Sequence, residues 1–128
     1  MNIHSLKRLG AALLIGASAA ATGPAFAHGA APARHGGVVQ SANDMSFELA
    51  PAADGAILYV VDHDDDYDAK QMGGKLTVLN GADKSEAELK PAGGNKLEAK
   101  GIKLGKGAKA VATVTEGRKT TTVRFTIK

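Results

Sequence analysis

The feature that most constrains this chain is a succession of short alternating runs, apolar then polar, each closed by a turn-forming pair. The C-terminal run shows it best: Thr121, Val123, Phe125 and Ile127 alternate with Thr122, Arg124 and Thr126. Met45, Phe47 and Leu49 alternate with Ser46 and Glu48, and Leu76 and Val78 point one way within residues 75 to 79. A period of two places one set of side chains on a single face of a strand, and no helical period of any length competes with it. Turn chemistry fills the gaps: Asp54-Gly55, Asn80-Gly81, Gly93-Gly94-Asn95 and Glu116-Gly117 each supply residues that tolerate positive φ. Strands are therefore predicted near 37–41, 45–50, 56–62, 75–79, 85–90, 96–100, 108–115 and 119–127. Seven or eight short strands in about 100 residues predict an all-β fold, a small antiparallel β-sandwich of immunoglobulin-like type, with a small closed barrel as the alternative.

Residues 1–27 carry the pattern of a secretory signal peptide: Lys7 and Arg8, an apolar run of about 13 residues, then Ala25-Phe26-Ala27 as the cleavage site. That run is shorter than the roughly 20 residues a spanning helix needs, so no membrane insertion is expected after cleavage. His28 then becomes the first mature residue and the protein is expected in the periplasm. Residues 28–36, rich in Ala, Gly and Pro, read as a flexible arm, and residues 37–128 as the β-sandwich domain.

Composition narrows the function. The 128 residues include no Cys and no Trp, which excludes disulfides, thiolate metal sites and Cys nucleophiles. Removing the leader takes away two positive charges and leaves 14 basic against 13 acidic groups. With 4% aromatic residues in addition, the sequence pI near 9.2 is no nucleic-acid footprint. Charge is unevenly placed. Residues 28–68 hold one basic and eight acidic groups, whereas residues 69–128 hold 13 basic and five acidic groups. In a folded sandwich these halves are able to compensate one another; alternatively an acidic end attracts cations.

No enzyme is expected. There is no Gly-x-Ser-x-Gly elbow and no zincin motif, and Ser41, Ser46 and Ser85 stand in no motif. The stretch 105–110 loosely resembles a dinucleotide fingerprint, but a strand follows it where a helix N-terminus is required.

The residues able to bind metal are few. His28 as a free N-terminus offers an amine and an imidazole, a nitrogen pair suited to Cu(II). His35 precedes two glycines that let the backbone turn sharply beside it. Asp62-His63-Asp64-Asp65-Asp66-Tyr67-Asp68 packs five carboxylates and one imidazole into seven residues after a strong strand, with Asp62 and Asp64 flanking His63. Counting from Asp62, an EF-hand loop wants Gly where Tyr67 stands and Glu where Gly73 stands, so that loop is excluded. Met45 and Met72 are soft ligands for Cu(I); Met45 alternates with core positions, and Met72 beside Gly73-Gly74 is the better candidate. The metal candidates are thus His28, His35, His63, Asp62, Asp64 and Met72.

The strings His35-Gly-Gly-Val-Val, Asp44-Met-Ser-Phe-Glu48-Leu, Leu58-Tyr-Val-Val-Asp62-His63 and Lys75-Leu-Thr-Val-Leu-Asn80-Gly resemble small periplasmic proteins associated with bacterial heavy-metal resistance. A similar His-Gly-Gly segment before a Phe-Glu-Leu strand occurs in the periplasmic part of metal-efflux adaptor proteins. The likeness spans residues 35 to 127. It implies a periplasmic β-sandwich that meets copper, zinc or a related ion near an efflux system, with His35 and His63 on matching positions. A second likeness is to periplasmic copper-binding sandwiches that begin with a mature His; this chain has Thr120-Thr-Thr-Val where those carry a later Asp-x-His. The resulting expectation is a metal-binding accessory protein holding a copper or zinc ion, with an efflux adaptor as partner. The competing expectation is a structural or interaction module that docks on an envelope partner without metal.

Overall fold

The computed structural model describes residues 31–128, and over them the chain is entirely strand and turn. In chain order the strands are β1 (Val38–Ala42), β2 (Met45–Ala52), β3 (Gly55–Asp62), β4 (Asp65–Asp66), β5 (Met72–Asn80), β6 (Asp83–Pro91), β7 (Lys96–Lys100), β8 (Lys109–Glu116) and β9 (Lys119–Thr126). The eight predicted runs all form, and only the two-residue β4 is additional. No helix among the described residues is long and apolar enough to cross a membrane. The leader, residues 1–27, and His28 lie outside the described residues.

All pairings are antiparallel, in the order β1-β2-β3-β7-β6-β5-β8-β9, with β4 hydrogen-bonded to β3. Two layers result, β1-β2-β3-β7 and β6-β5-β8-β9, joined where the last residues of β6 pair with β7, Lys90 opposite Glu98 and Pro91 opposite Leu97. β1 and β9 also approach each other. Asn43 Nδ2 donates to Thr121 Oγ1 at 2.9 Å across that gap. One continuous sheet is thereby nearly closed on itself, an all-β architecture between sandwich and small barrel.

The period-two pattern builds the core as expected. Phe47, Leu49, Leu58, Val60, Leu76, Val78, Leu89, Leu97, Val114, Val123 and Phe125 are buried within it. The aromatic supply is two Phe, so Leu, Val and Ala fill most of the space between the layers. β1 and β2 are joined by a two-residue loop, Asn43-Asp44, with φ of 50° and 63°. That is the type I′ geometry whose twist suits a hairpin, adopted without glycine because Asn and Asp tolerate the left-handed region.

Candidate functional site

β2 departs from simple alternation. Ser46, Phe47, Glu48, Leu49 and Ala50 are all buried, so both faces of the strand are covered. The core covers one face. The segment expected as a flexible arm covers the other, and over its described residues it is hydrogen-bonded to β2. Ala31 N–H donates to Ser46 Oγ at 2.9 Å, and three further amides converge on Glu48. Arg34 N–H donates to Oε1 at 2.9 Å, and His35 and Gly37 N–H each donate to Oε2 at 2.8 Å. A buried carboxylate that collects four donors is a fastening point, because leaving either partner unpaired costs its desolvation.

The fourth donor is the His35 imidazole, whose Nδ1 lies 3.1 Å from Glu48 Oε1. The ring stacks face to face on Tyr59, centroids 3.5 Å apart and planes 3° from parallel. Tyr59 pairs with Glu48 across β2 and β3, so one pair of neighbours in the ladder supplies both the anchor and the platform. Burial raises the Glu48 carboxyl, but the amides of Arg34, Gly37 and His35 together with the imidazole outweigh it and hold the group below the ordinary carboxylate range.

His63 sits at the other end of this surface, first in the two-residue loop between β3 and β4, with Asp62 opposite Asp65. Its φ of 58° is left-handed. His63 Nδ1 lies 2.7 Å from Asp62 Oδ1, and the ring is exposed. Arg34 spans the two histidine regions: its amide binds Glu48, while its guanidinium lies 3.8 Å from Asp66 Oδ1 and donates to the Asp64 carbonyl at 3.4 Å. His63 and Asp64 also border an open cleft of about 580 Å³ with Ala31, Asp44, Met45 and Ser46.

The two histidines share one arrangement. An ionised carboxylate only accepts hydrogen bonds, so each Nδ1 facing one must carry the proton. Each Nε2 of the neutral ring then holds a lone pair.

The other candidates are placed differently. Met72 is 7% exposed and packed in the core, so its sulfur is a packing group in this fold. Asp62 is spent on His63, and Asp64 lies at the cleft. Among the described residues no three His, Asp or Glu side chains form a metal-holding group. Sequence reasoning missed Glu48, Tyr59 and Arg34. Glu48 alternates with Phe47 and Leu49 and so reads as solvent-facing; the only available signal was the His-Gly-Gly segment, whose chain reversal needs an acceptor for its amides. A comparison with known protein families, curated proteins and solved structures finds no match to the chain.

Proposed function

We propose that the protein is a periplasmic, non-enzymatic accessory protein that captures a copper or zinc ion in support of metal resistance or efflux. The observation that carries this reading is the carboxylate behind each described histidine, Glu48 behind His35 and Asp62 behind His63. Metal-ligating histidines characteristically give their second ring nitrogen to a carboxylate or carbonyl, which fixes the tautomer and makes the free nitrogen a better donor. Stacking on Tyr59 adds rotational restraint to His35. The reading requires donors besides these nitrogens. Asp64 and Asp44 border the same cleft as His63, and in the sequence only Gly29 and Ala30 stand between His28 and Ala31, which also borders it. Cleavage after Ala27 would give His28 an amine beside its imidazole.

The test is thermal unfolding of the processed protein with and without Cu(II), Cu(I) or Zn(II). At a hundredfold excess over Kd, binding to the folded state adds about 2.7 kcal/mol, a rise of roughly 10 to 20 °C for a domain of this size. His63→Gly and His35→Ala, each compared with its own metal-free form, are expected to reduce or abolish that rise. His63→Gly relieves a left-handed residue while adding glycine's entropy, so its metal-free stability should stay within about 1 kcal/mol of the parent. An undiminished rise in the double variant, or none in the parent with any of these ions, would refute the proposal.

A further inference from the structure

The uneven charge of the sequence survives folding without being cancelled by contact. Every ion pair among the described residues stays within its own half of the chain: Arg34–Asp66, His35–Glu48 and His63–Asp62 in the first, and Lys75–Glu86, Lys84–Glu86, Lys90–Glu88 and Lys100–Glu98 in the second. No pair links an acidic group before residue 69 to a basic group after it. The topology explains why. The acidic half folds into β1 to β4; of the basic half only β7 joins that layer, beside β3, while β5, β6, β8 and β9 make the other.

On the outer face of β5, β8 and β9 the registers place Leu79 beside Lys109 and Lys109 beside Thr126, Thr77 beside Val111 and Val111 beside Arg124, and Lys75 beside Thr113 and Thr113 beside Thr122. No carboxylate stands on this face of those three strands; the nearest, Glu86 and Glu88, lie on the adjoining β6 opposite Thr77 and Lys75, where Glu86 pairs with Lys75 at 2.8 Å and leaves Lys109 and Arg124 as the cations of the face. Lys109 and Arg124 are exposed and make no ion pair among the described residues, and Leu79, 42% exposed, is the one large apolar side chain left open to solvent among them. An exposed apolar residue ringed by cations and hydroxyls has the anatomy of a contact surface. In the other layer, the β3–β4 loop and β4 present Asp64, Asp65 and Asp66, with Arg34 as the single ion-pair partner among the described residues.

We propose that the protein associates head-to-tail with further copies of itself, the outer face of β5, β8 and β9 in one molecule receiving the acidic loop of the next. Each molecule carries both complementary surfaces, and a near-balanced total of 14 basic and 13 acidic groups outside the leader leaves little long-range repulsion between copies. Because the two surfaces differ, the contact is heterologous, and unless a ring closes it propagates into open chains.

Sedimentation velocity of the processed protein over a concentration series, in chelator so that bound metal plays no part, tests this directly. At about 20 mM salt the sedimentation coefficient should rise with concentration, and the apparent association constant should fall at least about tenfold at about 500 mM, where the Debye length has shrunk from about 20 Å to about 4 Å. Lys109→Glu/Arg124→Glu and Asp64→Lys/Asp66→Lys, each checked for an unchanged unfolding midpoint, should both be monomeric alone. Mixed together they should associate again, because each retains the surface its partner needs. Lys109→Gln/Arg124→Gln, a milder change on the same face, should weaken self-association in the same direction. A parent that is monomeric at low salt, association that survives both reversals, or a mixture that stays monomeric would overturn the proposal, and none of these results bears on metal capture.

Discussion

Glu48→Gln tests the central contact of the candidate site, and its cost follows from the geometry. One carboxylate oxygen serves Arg34 N–H and the His35 ring, the other His35 N–H and Gly37 N–H. A glutamine has only one acceptor oxygen. Turning its NH₂ toward Oε2 would oppose two amides, so the better orientation keeps the carbonyl there and turns the NH₂ toward Arg34 and the ring. The imidazole then adapts by moving its proton to Nε2, but the Arg34 amide loses its acceptor, at about 1 kcal/mol, and the two remaining amide bonds lose their charge assistance. Part of this is offset because a neutral amide is cheaper to bury than a carboxylate. The net expectation is a loss of about 2 kcal/mol, or roughly 8 to 16 °C in Tm for a domain of about 100 residues. The pH dependence has a definite sign. A carboxyl held below its unfolded value stabilises the fold above that value, about 4.3, and the contribution disappears as pH falls through the lower folded value. The Glu48 charge's part of the gap between parent and variant should therefore be lost as pH falls through the carboxylate range, and the gap should close in stronger acid. Urea unfolding across that range measures it. A gap under about 0.5 kcal/mol at neutral pH, or one that persists unchanged in acid, would refute the fastening role.

Other expectations follow from single contacts. Phe47→Ala, at a fully buried position of β2, should cost about 3 to 5 kcal/mol in chemical unfolding, since the surrounding strands cannot collapse into the space. Gly74→Ala should cost more than about 2 kcal/mol because a Cβ there meets the Thr113 carbonyl while φ is +141°, whereas Gly81→Ala, with φ +61° and open space around it, should cost about 1 kcal/mol. Tyr67 OH donates to Glu116 at 2.9 Å, and this bond, with lesser contributions from burial and from the charges of Glu116, Asp62 and Asp68, raises its phenol above the usual value. One of the two tyrosines should therefore titrate late in an alkaline absorbance scan, and Glu116→Gln should move it back toward the ordinary range. The same shift predicts stability that is complete below the ordinary tyrosine pKa and falls as pH rises through the higher folded one.

The strands were legible because each alternates around a core of Leu, Val and Phe, and because the turn pairs between them need positive φ that few residues provide. Closure was not legible. It rests on two residue pairs between β6 and β7 and on the approach of β1 to β9, contacts between segments remote in sequence that leave no period or composition behind. Met72 was singled out beside Gly73-Gly74; both glycines lie within β5, where Gly74 permits the close approach of β8 and Met72 turns into the core, a placement that depends on the pairing and not on the local sequence. The contacts of the arm were not legible either. Its composition of Ala, Gly and Pro gives no hint of a partner, and the acceptor of its amides lies fourteen residues downstream of Arg34.

The same acceptor explains why His35-Gly36-Gly37 and Phe47-Glu48-Leu49 belong together. Gly36, with φ of 71°, bends the chain so that the amides on either side of it, from His35 and Gly37, meet one oxygen of Glu48. Gly37 must lack a side chain because a Cβ there would run into the Leu49 carbonyl. The glycines and the glutamate thus have a complete structural account that needs no ligand, and these residues are explained even in a protein that binds nothing. The imidazole is different. Its backbone amide alone would fasten the arm, and any residue supplies an amide, so the choice of histidine at position 35 is accounted for only by the ring: Nδ1 on Glu48, a face on Tyr59, and Nε2 left over. His35→Phe would keep the amide bond and the stacking while deleting both ring nitrogens. If that variant keeps the parent's stability to within about 1 kcal/mol and loses the metal-induced rise in Tm, the ring is there for its free nitrogen. If it keeps the rise, the histidine serves only to stack and to satisfy Glu48, and His63 and the acidic loop must hold the ion without it.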